Sequence, residues 1–333
     1  MSAFQPDIQE NDIFKQSPEL LSTLLKDQTL STEDNQVNIF WATNNYTDLG
    51  TGYQYADPIT IESITGINGN VIKPRAIKSR EMQQQRSREM AEVFTPSWIC
   101  NKQNNLIDNA WFGRKNVFNT EVDPPNGPHS WIPAKGTITF PENKTWHDYI
   151  HENRLEITCG EAPFLVSRYD TVTGEPIPTG LRIGLLDRKL RIVGENTQTS
   201  DEWLKAARAA YTSTYGYEWQ GDNLFLAREA LLYTFIDYYK AKFNQEPPLG
   251  PLRHIACIIS WNIWQMDGMK GVIPDSCRNI RKTVRGLFDT SETVLECEGC
   301  RKNNIHKHNG IYCKIKDWSN DEVVTFISLL EKK

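Results

Sequence analysis

Several groups of residues in this 333-residue chain have types and spacing suited to chemistry. Thr158-Cys159-Gly160 follows the apolar piece Leu155–Ile157. A small-residue turn at the carboxyl end of a strand lets a ligand approach the backbone closely. Glu218 ends the β-rich segment Thr214-Tyr215-Gly216-Tyr217, and an acid there can accept hydrogen bonds from both hydroxyls of a ribose. Asp267 follows Asn262-Ile263-Trp264-Gln265-Met266 and could accept from an exocyclic amino group. Each pattern alone is common, because acids at strand ends are usually just solvated. Their order carries more than any one of them.

A different chemistry is suggested near the carboxyl end. Cys297-Glu298-Gly299-Cys300 is followed by His306, His308 and Cys313. Thiolates two residues apart can both reach one tetrahedral zinc, so Cys297, Cys300, His308 and Cys313 form the expected ligand set, with Cys277 a spare. The plain alternative is a group of reduced structural cysteines. Asp123 with Glu142-Asn143-Lys144 imitates the acid-then-Glu-x-Lys pattern of metal-dependent nucleases. Pro141 argues against the central strand which that pattern needs.

The elements around these residues follow a rhythm. A short strand into a turn is expected at Leu155–Gly160, then helices around Glu202–Thr212 and Leu224–Tyr239, with a strand between them ending in Glu218. His254–Gln265 supplies a helix end and another strand, ending in Met266-Asp267-Gly268. Strand, turn, helix, strand with acid is the pattern of a doubly wound α/β sheet. Residues 1 to about 70 are polar and read as loosely structured or a small accessory region. The basic run Lys73, Arg75, Lys78, Arg80, Arg86 and Arg88 reads first as a solvated helix face and second as a nucleic-acid contact. Thr95 is a candidate N-cap for a helix beginning at Pro96.

Composition narrows the class. The chain is 39% hydrophobic and 24% charged, with net charge −5, so any nucleic-acid contact must come from a local patch. Seven cysteines, an odd number, behind an amino-terminal stretch without a charged-then-apolar pattern point to a reducing cytoplasm and not to a secreted disulfide scaffold. No apolar run approaches the ~20 residues that cross a bilayer, so no membrane partner is expected.

The motifs, in order, resemble the gamma-arranged N6-adenine DNA methyltransferases of restriction–modification systems. Glu92-Val93-Phe94-Thr95-Pro96 is similar to the family's Phe-Thr-Pro motif, and Ile157–Leu165, less closely, to its Pro-Ala-Cys-Gly-Ser-Gly-x-Phe-Leu motif. Tyr215–Glu218 with Asn223–Glu229 resembles its Gly-x-Asp/Glu strand and Ala-Arg helix, and Asn262–Met269 its Asn-Ile-x-x-x-Asp-x-Leu motif. The resemblance spans roughly residues 80 to 270 and implies a Rossmann-like, S-adenosylmethionine-dependent core. It would occupy 76–290, after a polar extension at 1–75 and before a zinc-binding, Cys-rich tail at 291–333. By the same resemblance Phe94, Thr95 and Pro96 line the methionine end of the cofactor, and Thr158, Cys159 and Gly160 sit beside it. Glu218 then holds the ribose and Asp267 the adenine. DNA, with a restriction or specificity subunit, is the implied partner. Glu161 stands where the family has Ser and Ala162 where it has Gly, and a bulky acid there is expected to crowd the cofactor.

The family's catalytic Asn/Asp/Ser-Pro-Pro-aromatic motif, which receives a flipped adenine, does not follow Asp267. Asp317-Trp318 is the nearest acid and aromatic, without prolines. Asp123-Pro124-Pro125-Asn126 has the prolines but precedes the cofactor motif and lacks the aromatic. The expectation is therefore a DNA adenine-N6 methyltransferase or modification subunit. A methyltransferase-fold DNA-binding or assembly subunit without its own chemistry is the alternative, and a metal-dependent nuclease is the third reading.

Overall fold

The computed structural model describes residues 10–89, 92–93, 95–124, 127–285 and 290–330. Its strands form four small sheets. An antiparallel hairpin, β1 (Asn119–Val122) with β2 (Ser130–Pro133), precedes the one parallel sheet among the described residues. That sheet has the order β3 (Arg154–Glu156), β4 (Thr214–Glu218), β5 (Ile263–Gln265). Hairpins β6 (Ile280–Arg285) with β7 (Thr290–Leu295) and β8 (Lys314–Asp317) with β9 (Glu322–Thr325) follow.

Parallel neighbours need long crossovers, and helices supply both. Between β3 and β4 run Leu185–Asn196 and Ser200–Thr212; between β4 and β5 run Gly221–Phe243 and Leu249–Asn262. The helix Ser200–Thr212 starts at a capping box: Glu202 N donates to Thr199 Oγ1, and Thr199 N donates to Glu202 Oε2. Gly221–Phe243 is buried on most of its circumference, with Asp222, Asn223, Arg228 and Glu229 buried among its apolar residues, and Asn244 closes it with φ 53°. Registers Glu156↔Gly216 and Glu218↔Gln265 bring the carboxyl ends of the three strands to one edge. No helix among the described residues is long and apolar enough to cross a membrane.

The chain is thus α/β with a parallel sheet. Two expectations change. The strand order runs β3-β4-β5 without reversal, whereas a doubly wound sheet needs further strands beyond β3. After β5 the described residues hold one α-helix, the five-residue Glu298–Lys302, and two short 3-10 turns, too little for a crossover of about 10–12 residues, so the chain folds into hairpins. Residues 10–75 are not loosely structured: Ile13, Leu20, Leu21, Leu24, Leu25, Ile39 and Trp41 are fully buried in the main apolar cluster with Phe225 and Leu231. Short apolar pieces scattered in polar sequence pair through space, as when Gln265 Nε2 donates to Phe40 O at 2.9 Å.

Two faces of the sheet are covered differently. The crossover helices belong to the main cluster, while a second cluster joins Tyr217, Trp264 and Met266 to Ile273, Cys313 and Ile315 of the tail. Phe326 lies 5.7 Å from the Trp264 ring and 6.1 Å from that of Tyr217. Leu155 on β3 and Ile157 just after it remain exposed.

Candidate functional site

A cavity of about 770 Å³ opens at the carboxyl ends of β3 and β4. That volume suits a small organic ligand, since such pockets run to roughly 300–1,000 Å³. Its wall includes Thr95, Thr158, Cys159, Gly160 and Glu218, five of the residues expected to line one site. They come from three separated stretches of sequence: the β3/β4 register places the 158–160 turn beside the end of β4, and Thr171 Oγ1 donates to Thr95 O at 3.2 Å.

The turn is built under constraint. Thr158, Gly160 and Ala162 all take left-handed backbone, with φ of 46°, 54° and 60°. For a β-branched residue such as Thr158 this is a genuine outlier, and such strain concentrates where backbone is shaped for a ligand. Glu218 holds the turn in place: its Oε2 accepts from Gly160 N at 2.9 Å and its Oε1 from Gln220 N at 3.2 Å. Burial raises the Glu218 pKa, against the opposing pull of these amides. A carboxylate has about four lone-pair sites, so capacity for a ligand hydroxyl is left. Cys159 packs its thiol against Gly216, where an added Cβ would meet Sγ at 3.3 Å. Burial pushes that thiol well above its ordinary pKa, making it a packing group and not a nucleophile.

Beneath the turn, Glu156 is buried and accepts from Phe164 N at 3.4 Å and Leu165 N at 3.1 Å. Burial holds it well above the usual carboxylate range, these amides oppose the shift, and the charge of Glu218 adds to it. With the folded-state pKa raised, the stability Glu156 contributes is complete below its ordinary value of 4.5 and is lost as pH rises through the raised one. Glu156→Gln should remove that loss, worth about 1.4 kcal/mol per pH unit while the proton is in play. Urea unfolding across a pH series checks it, and parallel curves for the two proteins would refute it.

Glu161 does not crowd the cavity. Its carboxylate turns inward, accepting from Arg75 N at 2.6 Å and from the Tyr169 hydroxyl at 2.6 Å. The acid in the Ser position is a structural strut between the 158–165 turn and the segment before the Arg80–Glu89 helix.

A buried charge network forms the opposite wall. Arg86 Nε lies 2.6 Å from Glu92 Oε2 and its Nη1 2.8 Å from Asp222 Oδ2. Its Nη2 donates to Gln220 Oε1 and Asn223 Oδ1, while the Tyr46 hydroxyl donates to Asp222. Burial works to raise Asp222, but Arg86 and Lys78 outweigh it and hold the carboxyl below its usual range. Glu92, Gln220 and Asn223 line the cavity, and sequence reading did not single them out as site residues. Their signal is adjacency, since Glu92 precedes the Val93–Pro96 stretch and Asn223 opens the Asn223–Glu229 motif. Arg86 and Lys78, expected on a solvated helix face, are interior; Arg80 and Arg88 are exposed.

Other expected site residues lie elsewhere. Phe94 falls outside the described residues. Pro96 takes the N-cap position in place of Thr95, and Asp170 Oδ2 accepts from Ser97 N at 2.7 Å. Asp267 is not on the cavity wall: its Oδ1 accepts from Met269 N at 3.0 Å and its Oδ2 pairs with Lys270 at 2.9 Å. That tight reversal turns the carboxylate back on its own loop. Asp317 caps the β8–β9 turn, accepting from Ser319 N, and Trp318 Nε1 donates to Asn262 Oδ1 at 2.7 Å, so neither reaches the cavity. The nuclease pattern is dispersed: Asp123 pairs with Lys102 and His129, Glu142 sits exposed in a turn, and Lys144 donates to Trp111 O.

The tail carries a second site. Cys277, Cys297, Cys300 and His308 place one ligand atom each within 4.8 Å of one another, a Cys3His cluster that could bind a metal such as zinc. Cys313, expected as a ligand, is fully buried in the second apolar cluster, with its Sγ 3.4 Å from Gln265 O. Cys277, read as the spare, takes its place.

No family model, curated protein or solved structure matches this chain.

Proposed function

We propose that this chain is an S-adenosylmethionine-dependent DNA adenine-N6 methyltransferase or modification-subunit homologue, with its cofactor in the cavity at the ends of β3 and β4. One observation carries the reading: Thr95, Thr158, Cys159, Gly160 and Glu218, named by motif resemblance, line a single cavity of suitable size. The donor set fits the group, because Gly160 offers a backbone without a side chain and Glu218 an acid with acceptor capacity to spare. When bound, the cofactor would supply an electrophilic methyl group. The chain's own residues would position it: Glu218 at the ribose hydroxyls, with the strained 158–160 turn close against the ligand. DNA as the acceptor is drawn from the resemblance.

A second reading is favoured by a specific observation. No acid- or amide-Pro-Pro-aromatic motif follows Asp267, and neither Asp317 nor Trp318 reaches the cavity. The chain would then bind the cofactor or DNA as a subunit and leave base recognition to a partner.

Calorimetric titration with S-adenosylmethionine separates these outcomes. Glu218→Ala should weaken binding by about 10- to 100-fold, the worth of charge-assisted hydrogen bonds of about 1.5–3 kcal/mol. Asp267→Ala should leave it within about threefold, as expected of a distant site. No binding by folded protein would sink the cofactor reading. Binding without methyl transfer to DNA would favour the subunit without its own chemistry.

A further inference from the structure

We propose that Cys277, Cys297, Cys300 and His308 hold one zinc ion in a closed tetrahedral site, and that this ion clamps the tail over the second face of the parallel sheet. The inference is independent of what the cavity binds.

Geometry comes first. His308 Nδ1 lies 3.5 Å from Cys277 Sγ, 3.7 Å from Cys297 Sγ and 3.6 Å from Cys300 Sγ. A tetrahedral zinc with Zn–S of about 2.3 Å and Zn–N of about 2.05 Å puts sulfur and nitrogen about 3.6 Å apart. Hydrogen bonding does not explain the same arrangement. One imidazole nitrogen has a single lone pair or a single hydrogen, so it can satisfy one thiol and not three. A cation at the centre satisfies all four donors at once.

The surrounding backbone is shaped for this approach. A Cβ on Gly299 would stand 2.6 Å from His308 N and 2.7 Å from His308 Nδ1, so only glycine lets the ring reach the Cys-x-x-Cys knuckle. A Cβ on Gly310 would stand 3.1 Å from Cys277 Sγ and 2.6 Å from Ser276 Oγ. Asn309 N donates to Cys297 Sγ at 3.2 Å, the kind of outer hydrogen bond that steadies a metal-bound thiolate. Four protein donors leave no open position, which marks a structural and not a catalytic site.

The clamp follows from where the ligands attach. Cys277 ends the stretch leaving β5, while Cys297, Cys300 and His308 precede the segment that returns to it. Ile273 N donates to Ile311 O at 2.8 Å and Cys313 N to Gly271 O at 3.0 Å, just beyond the cluster. That pairing presents Cys313, Ile315 and Phe326 to Tyr217 and Trp264. The ion would therefore fix the cover over the strand that ends in Glu218.

Elemental analysis of the purified full chain tests this, with cobalt(II) exchange as a second measurement that needs no variant. The expected result is about one zinc per chain, and cobalt spectra of a tetrahedral, thiolate-rich site. Cys277→Ser and Gly299→Ala should lower metal content several-fold, and Cys313→Ser should retain it. Chelation should shift Trp fluorescence to the red as the Trp264 face opens. Folded protein that contains no zinc and takes up neither metal overturns the proposal. Metal lost in Cys313→Ser but kept in Cys277→Ser overturns the ligand set.

Discussion

Arg86→Ala should destabilise the fold by about 3–5 kcal/mol, the cost of leaving buried carboxylates without their cation. The guanidinium is 1% exposed and lies against Glu92 and Asp222, which are 4% and 0% exposed at their side chains. Removing it also strips donors from Gln220 and Asn223. Lys78, 3.8 Å from Asp222, cannot replace it, because burial already lowers the pKa of that amine. At roughly 2 °C per kcal/mol for a chain of this size, the thermal midpoint should fall by about 6–10 °C. Arg80→Ala on the same helix is the matched control: its side chain is exposed, so the change should stay within about 0.5 kcal/mol. Equal effects from the two substitutions would show that the network is not what holds this wall. Asp222→Asn in the Arg86→Ala background should recover part of the loss, since it removes a charge that has lost its partner.

Gly221→Ala is expected to cost more than about 4 kcal/mol or to abolish folding, a loss reserved for changes the surroundings cannot absorb. An added Cβ would stand 2.0 Å from Phe40 O, a backbone atom. Neither side can give way easily. Gly221 N donates to Trp41 O at 2.9 Å, and Phe40 is held by Gln265 through both its N–H and its carbonyl. The methyl group would separate the amino-terminal segment from the helix that begins beside the cavity. Gly194→Ala supplies the contrast: it sits in a helix with nothing within 4 Å of the added Cβ, and should stabilise by about 0.5–1 kcal/mol. Soluble yield and urea midpoints distinguish the pair. A Gly221→Ala protein as stable as the parent would mean the two backbones are not locked.

Much of the sheet was legible because its signals are local. Thr214–Glu218 is β-branched and aromatic up to an acid, and the structure places β4 over those residues. His254–Gln265 reads as a helix end followed by a strand, and the structure has a helix to Asn262 and then β5 over Ile263–Gln265. The ligand set of the tail was legible only in part. Spacing identifies Cys297 and Cys300, but whether Cys277 or Cys313 joins them depends on how 271–273 pairs with 311–313, a register no local pattern encodes. Arg86 misled for a related reason. On a helix as polar as Arg80–Glu89 nothing in the sequence separates the one inward cation from its solvated neighbours. Its partners come from residues 92, 220, 222 and 223. Asp267 sits at the expected strand end, yet its side chain is claimed by the turn two residues on, and strand rhythm cannot foresee that.

The hairpin of β6 and β7 leaves and re-enters the fold at one point, because Cys277 and Cys297 bring their sulfurs within 4.8 Å. For a segment pinned at both ends, the entropy of closure grows only slowly with contour length, by about 0.6 kcal/mol for each doubling. This stretch can therefore be lengthened at little thermodynamic cost. A guest peptide inserted between these cysteines should lengthen the hairpin while leaving the folding cooperativity of the α/β body unchanged.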